Sequence, residues 1–171
     1  MDKVHKACII CKCKDIFTKY IIKGFHIVQC KRCSLLFVAD KLSQEELDTY
    51  HKNEIEGGEY IYIDQNNIKN LNFYYNKLST LINNRTTKGR ILDVGCSAGY
   101  FLDCMQGWER YGIEPMFFQA GKAKEKYGDN IHIGTLEDCK YPARYFDVIT
   151  LQDSLDHMLN PLEAIKNVTF S

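Results

Sequence analysis

The chain has 171 residues, 45% of them apolar, with 22 basic and 22 acidic side chains and a formal net charge of zero. That length allows one ordinary domain, or a small domain plus a medium one, and the apolar content excludes wholesale disorder. Balanced charge argues against a strong overall pull on nucleic acid or a membrane surface. Met1 to Lys6 leads into no apolar h-region, so no secretory leader is expected. No apolar run approaches the roughly 20 residues that cross a bilayer. A soluble, cytoplasmic protein is expected. In a reducing compartment its eight cysteines read as metal ligands or buried thiols before disulfides.

Residues 1–40 hold five of those cysteines. Cys8-x2-Cys11 and Cys30-x2-Cys33 are separated by 18 residues, the spacing of a four-cysteine zinc site. A two-residue gap lets two thiolates of one tight turn grip one ion, and two such turns complete a tetrahedron. Four protein ligands leave no open position, so the expected role is structural, and so small a segment needs the metal to fold. Cys13 reads as a nearby non-ligand. His5 and His26 are alternative ligands, but four cysteines already fill the site. Between the pairs, Phe17 to Val28 is rich in β-branched and aromatic residues around Gly24 and suits a hairpin. Residues 1–33 carry eight Lys or Arg against two acids. Without aromatic interleaving, this basic excess reads as a solvated face balancing thiolates, and nucleic acid is not the expected partner.

Residues 41–88 form a connecting helical segment. Ser43 to Glu46 is a capping box, with Ser at the cap and Glu three residues on, and predicts a short helix through about His51. Gly57-Gly58 breaks the chain, and Tyr60 and Tyr62 after it read as packing onto the core. From Asn66 to Asn83, Ile68, Leu71, Tyr75, Leu78 and Ile82 fall on one face of a helix.

Residues 89–171 alternate strand and helix patterns. Arg90 to Val94 is a short apolar run ending in Gly95, as a buried strand does. Residues 98–106 are helix-like, Trp108 to Ile113 a second strand, and 116–127 a helix closed by Gly128. Asn130 to Ile133 is a third strand and Phe146 to Leu151 a fourth. Residues 161–168 make a final helix with Asn160 as cap and Pro161 in its first turn. Such alternation predicts an α/β fold, a parallel sheet with helices on both faces.

The stretch from Ile91 to Leu102 runs from strand through a glycine-bearing turn into helix. Gly95 and Gly99 let the backbone approach a ligand, at the place where open α/β sheets bind nucleotides. The pattern is Asp-x-Gly-x-x-x-Gly, without the middle glycine of the dinucleotide fingerprint that admits a pyrophosphate. Glu114 ends the second strand 21 residues after Asp93. An acid there can accept hydrogen bonds from both ribose hydroxyls and repels a 2′-phosphate. A ribose-bearing ligand such as an adenosine is implied.

On these residues, 90–168 resemble a class I S-adenosylmethionine-dependent methyltransferase. Asp93 to Gly99 matches that family's first motif, Glu114 its ribose acid, and Phe146 to Leu151 its fourth strand. Leu155-Asp156-His157-Met158-Leu159-Asn160-Pro161 is similar to the Leu-Glu-His-x-x-Asp-Pro segment common after that strand. The cysteine pairs resemble the zinc-binding N-terminal segment of a bacterial subgroup acting on sugars and other small metabolites. The resemblance implies a Rossmann-like domain over residues 89–171, S-adenosylmethionine as cofactor and a small-molecule acceptor. It implies contacts to the cofactor's amino-acid part from Asp93 and from the turn and helix start, Gly95, Cys96, Ser97, Gly99, Tyr100 and Phe101. Glu114 and Pro115 would face the ribose, Leu136 and Glu137 the adenine, and Gln152 the methyl group. Many relatives carry Gly where Cys96 stands and Asp where Thr135 stands, so Glu137 or Asp138 would have to meet the adenine amino group. His157 has the proton chemistry of a general base, and equally the place of a residue that orients the loop before the last helix.

Only four strands are legible where the resembling family has seven. The fourth would then be an apolar sheet edge with unpaired backbone groups, and self-association through that edge is expected. Two other readings stay open. In one, the zinc ribbon docks a protein or nucleic acid on a degenerate, non-catalytic scaffold. In the other, the chain is a nucleotide-sugar or NAD enzyme, which the absent middle glycine opposes.

Overall fold

The structure, a computed structural model, describes residues 4–43, 45–47, 49, 50 and 65–170, with side chains in the last span from 70 to 168. The Gly57-Gly58 break and the readings of Tyr60, Tyr62 and Ile68 as packing residues lie outside the described residues. The chain divides into two compact units, residues 1–61 and 62–171.

In the first unit, β1 (Ile16–Ile22) and β2 (Phe25–Cys30) form an antiparallel hairpin. Lys23 (φ 51°) and Gly24 (φ 85°) turn it. Two consecutive positive φ angles give the primed turn whose twist matches the strands it joins. A bulge near Lys19 shifts the register between Thr18 and Tyr20. A third strand, β3 (Leu36–Val38), pairs antiparallel with β2 and was not legible in the sequence. The unit's core is small: Cys8, Val28, Cys30, Phe37 and Ala39, with Ile9, Cys11, Cys13, Ile16 and Leu35 packed on it. The capping box forms as read. Ser43 N–H donates to Glu46 Oε2 (2.8 Å), and Glu46 N–H donates to Ser43 Oγ (3.1 Å). Helical residues follow at 45–47 and 49–50.

The second unit opens with α1 (Gln65–Asn83). Tyr75, Leu78 and Ile82 of its apolar stripe pack against a cluster that includes Ile91, Phe101, Leu102, Met105 and Trp108. Polar groups on the same face are satisfied by bonds of defined direction. Ser79 Oγ donates to the Cys104 carbonyl (2.9 Å), and Trp108 Nε1 donates to Asn83 Oδ1 (2.9 Å).

Strand and helix then alternate. β4 (Arg90–Val94) leads to α2 (Tyr100–Cys104) and β5 (Glu109–Glu114) to α3 (Phe117–Tyr127), followed by β6 (Ile131–Ile133), β7 (Val148–Thr150) and α4 (Pro161–Phe170). Among the described residues the sheet has four strands, all parallel, in the order β6-β5-β4-β7. Strand residues alternate between two cores. Ile91 and Ile131 meet α1, α2 and α3 on one face. Leu92, Val94, Tyr111, Ile113 and Ile149 meet Leu136, Tyr141, Phe146 and Met158 on the other. The fourth strand is shorter than its apolar run. Phe146 joins Tyr111, Tyr141 and Tyr145 in an edge-to-face aromatic cluster instead. Pairing begins only after Asp147, which brackets Arg90: Asp147 N–H donates to the Arg90 carbonyl, and Arg90 N–H to Asp147 Oδ2.

Candidate functional site

The carboxyl ends of β4 and β5 lie side by side, with Asp93 opposite Gly112 and Val94 opposite Ile113. Two acids therefore come together. Asp93 is 3% exposed and Glu114 6% exposed. Asp93 Oδ1 accepts a 2.6 Å bond from the Thr150 hydroxyl of β7. Burial pushes its carboxyl up to about 7, against the pull of that hydroxyl and of the Gln152 amide, and the charge on Glu114 adds to the rise. Glu114 is also pushed up by burial, opposed by the N–H groups of Met116 and Ser97. Those donors reach Oε1 at 2.8 Å and Oε2 at 2.9 Å. Neither acid has an ion-pair partner among the described residues. A buried carboxylate without a counter-charge is costly, so this corner is complementary to a cation.

Between the acids runs the glycine turn. Gly95 (φ 82°) and Gly99 (φ 80°) hold left-handed backbone, as does Ser97 (φ 49°). A side chain at Gly95 would meet Ser154, and one at Gly99 would meet the Tyr127 ring. Cys96 is buried, and its thiol is pushed up by burial. Its sulfur has room because β5 carries Gly112 opposite: a Cβ there would stand 2.5 Å from Cys96 Sγ. The larger residue in the turn and the missing side chain on the strand compensate each other.

The turn's N–H groups point inward. Gly95 and Cys96 both donate to the Ile113 carbonyl, Ser97 donates to Glu114, and Gly99 donates to the Cys96 carbonyl. A phosphate cradle needs free N–H groups aimed at the ligand. This turn offers almost none, in keeping with its lack of a middle glycine.

The other residues singled out in the sequence fall as follows. Phe101 is buried in the α2 core and packs on Tyr75, so its side chain serves packing. Tyr100 opens α2, and Pro115 is exposed just beyond Glu114. Leu136 packs on the sheet while Glu137 is exposed. Asp138 Oδ2 accepts from both the N–H and the hydroxyl of Thr135, which caps the turn locally. The amide of Gln152 is buried beside Asp93, whose carboxyl it helps to hold down, although the contact falls short of strict hydrogen-bond geometry. His157 is 55% exposed in the turn before α4, with Nε2 3.8 Å from Asp156. A cavity of about 470 Å³ shares Leu136 and Glu137 but includes neither acid nor the glycine turn. Sequence reasoning missed Thr150, which fixes Asp93. It also missed Ser154 and His132, whose buried Oγ and Nε2 lack partners among the described residues. Their only signal was nearness to strand ends.

The first unit holds a second cluster. One ligand atom each from Cys8, Cys11, Cys30 and Cys33 lies within 4.8 Å of all the others. The Cys8–Cys33 and Cys11–Cys30 sulfur pairs are 3.6 and 3.5 Å apart. A tetrahedral ion with bonds of about 2.3 Å spaces its sulfurs by about 3.8 Å, so the four thiols fit one. Two matching turns build the cluster. Lys12 N–H donates to the Cys8 carbonyl and Cys8 N–H to the Cys13 carbonyl. Ser34 N–H donates to the Cys30 carbonyl and Cys30 N–H to the Leu35 carbonyl. The residue after each second cysteine, Lys12 (φ 59°) and Ser34 (φ 61°), is left-handed. The N–H groups of Cys33 and Arg32 turn toward Cys30 and pull its thiol down to about 6. Cys13 stands outside the cluster. His26 is paired with Asp40 at 3.1 Å, and His5 stacks edge-on against Phe37.

A family model described as a methyltransferase domain matches residues 67–170. The chain belongs to this family, and its parallel sheet is the Rossmann-like sheet of class I S-adenosylmethionine-dependent methyltransferases. Solved structures of similar fold include the YcgJ protein of Bacillus subtilis, 23% identical, with a TM-score of 0.47 over 56% of this chain and 44% of that one. The plantazolicin methyltransferase BpumL, solved with S-adenosylhomocysteine, is 16% identical, with a TM-score of 0.48 over 74% of this chain and 48% of that one. A methyltransferase from Thermotoga maritima is 22% identical, with a TM-score of 0.48 over 71% of this chain and 55% of that one. The chain spans about half the length of these structures. None of the curated proteins compared matches it. No helix among the described residues is long and apolar enough to cross a membrane.

Proposed function

We propose that the chain carries the cofactor-binding half of an S-adenosylmethionine-dependent methyl transfer to a small-molecule acceptor, beside a ribbon built on a structural zinc ion. One observation carries this reading. Two buried carboxylates with no ion-pair partner among the described residues, Asp93 and Glu114, flank a glycine turn most of whose N–H groups are already used. That site suits a cationic, ribose-bearing ligand and not a pyrophosphate. Asp93 takes the cofactor's ammonium end, and Glu114 takes the ribose hydroxyls with the acceptor capacity its two N–H bonds leave free. Gln152, its amide beside Asp93, lies near the reacting end, and Leu136 packs beside the base.

The cofactor, when bound, supplies a methyl made electrophilic by a sulfonium. The protein's share is alignment and exclusion of water. A base is needed only for an acceptor of high pKa. His157, exposed and paired with its neighbour, reads as a loop-orienting residue. Cys8, Cys11, Cys30 and Cys33 would hold the zinc with no position left open, so the ion shapes the ribbon and takes no part in the chemistry.

Calorimetric titration of S-adenosylhomocysteine into zinc-replete protein, with NAD as control, tests the reading. We expect binding to the first alone and a loss of at least roughly tenfold in Glu114→Gln, as when a charged hydrogen-bond acceptor is neutralised. A thermal melt of the variant confirms its fold. No binding by folded wild-type protein would overturn the reading in favour of a docking module.

A further inference from the structure

α2 is only five residues long, and its N-cap is Gly99, which offers no side chain to bond the first-turn N–H groups. A short, uncapped helix frays. Yet this helix anchors the far end of the glycine turn, so something else must hold it.

The last turn of α3 does so. Lys126 Nζ donates to Asp103 Oδ2 at 2.6 Å and to the Ala98 carbonyl at 3.1 Å, and it stands 5.3 Å from the centre of the Tyr100 ring. One ammonium thus ties a carbonyl inside the turn to a side chain one helical turn later. Asp103 N–H in turn donates to the Gly99 carbonyl. Tyr127 closes the same clamp. Its hydroxyl donates to Asp103 Oδ1, and its ring fills the space over Gly99, where a Cβ would stand 2.7 Å from Cε2. Behind it, the Arg110 guanidinium lies 4.9 Å from the Tyr127 ring centre and bonds the Leu102 carbonyl.

We infer that Lys126 is a positioning residue. By tying Ala98 to Asp103 it holds residues 95–103 in the shape that presents Asp93 and the turn to the cofactor, without touching the cofactor itself. The inference rests on the cofactor site proposed above. Lys126 and Asp103 are 40% and 44% exposed, so their pair adds little to global stability. Its effect falls on the local order of the turn, and ordering a binding loop in advance lowers the entropy that binding must supply.

The test titrates S-adenosylhomocysteine into wild type, Lys126→Met, Lys126→Arg and Lys124→Met. Lys124 is the control. It occupies the same last turn of α3 and faces Asp129 at 3.7 Å, so it shares any effect of the helix dipole without reaching the turn. Lys126→Met should bind roughly tenfold more weakly, as loss of a charge-assisted hydrogen bond predicts. Lys126→Arg should recover most of the loss, Lys124→Met should match wild type, and all melting points should stay close. Without ligand, hydrogen exchange at the Asp103 amide should quicken in Lys126→Met alone. Equal affinity of Lys126→Met and wild type would overturn the positioning role and leave the cofactor site standing. A wild-type protein that binds nothing would overturn both. A drop shared by Lys124→Met would assign the effect to helix charge and overturn the role of Lys126.

Discussion

Asp93 sets the behaviour of the site at the scale of one residue. Burial lifts its carboxyl to about 7, so the folded chain holds a proton that an unfolded aspartate has already released. Its contribution to stability is therefore full below the ordinary value of 3.8 and is lost as pH rises through 7. Ligand binding has the opposite sign. An ammonium group pairs with the carboxylate form, so affinity for S-adenosylhomocysteine should climb as pH rises toward 7 and level off above it. Calorimetry in buffers of different ionisation enthalpy should show a proton released on binding below 7. Asp93→Asn separates the two effects. It keeps the bond from Thr150 and removes the buried charge, so its melting point should exceed wild type by more at about pH 8 than at about pH 5, while ligand binding is lost. A variant that melts below wild type at the higher pH would mean that the carboxylate is already compensated.

At the scale of elements, the ribbon makes the sharpest demand. Among the described residues its core is five buried side chains, and two of them, Cys8 and Cys30, belong to the four-thiol cluster. So few apolar groups cannot offset the entropy of ordering the segment, and on the proposed zinc site the metal would supply the difference. Protein purified without chelator should carry one zinc per chain. Adding a strong chelator should expose the thiols of Cys8, Cys11, Cys30 and Cys33 to a thiol reagent and abolish the β1–β2 amide protection. Unchanged thiol reactivity after chelation would sink the zinc site.

The elements also show what a sequence can and cannot convey. The hairpin around Gly24, the Ser43 capping box, the α1 stripe and the stop at Gly128 were all legible, because each depends on neighbours within a few residues. β3 was not, since three residues give periodicity nothing to measure and pairing with β2 alone makes them a strand. Phe146 read as strand because an apolar run does not distinguish a ladder from an aromatic cluster. At the site, Asp93, Glu114 and the glycine turn stood out through spacing. Thr150, Ser154 and the fit of Cys96 over Gly112 depend on which strands are neighbours, and the order β6-β5-β4-β7 appears only once the chain is folded.

For the molecule as a whole, the sheet's edge matters most. β7 has one strand neighbour, β4, among the described residues, so its other side presents backbone groups that another strand can pair. The edge is short, three residues rather than the six of its apolar run, and short edges pair weakly. We therefore predict reversible self-association, seen as a sedimentation coefficient that rises with concentration. Val148 offers the means to test the route. It lines an open groove with Leu81, Ile82, Arg85 and Thr86, so a lysine there can lay its stem along the groove and keep its charge in water. A charged residue on an edge is a standard guard against pairing. Val148→Lys should flatten the concentration dependence while costing about 1 kcal/mol of stability, as loss of a half-buried valine does. If wild type sediments as one species at every concentration, the edge does not pair. If the variant associates as wild type does, the contact lies elsewhere on the surface.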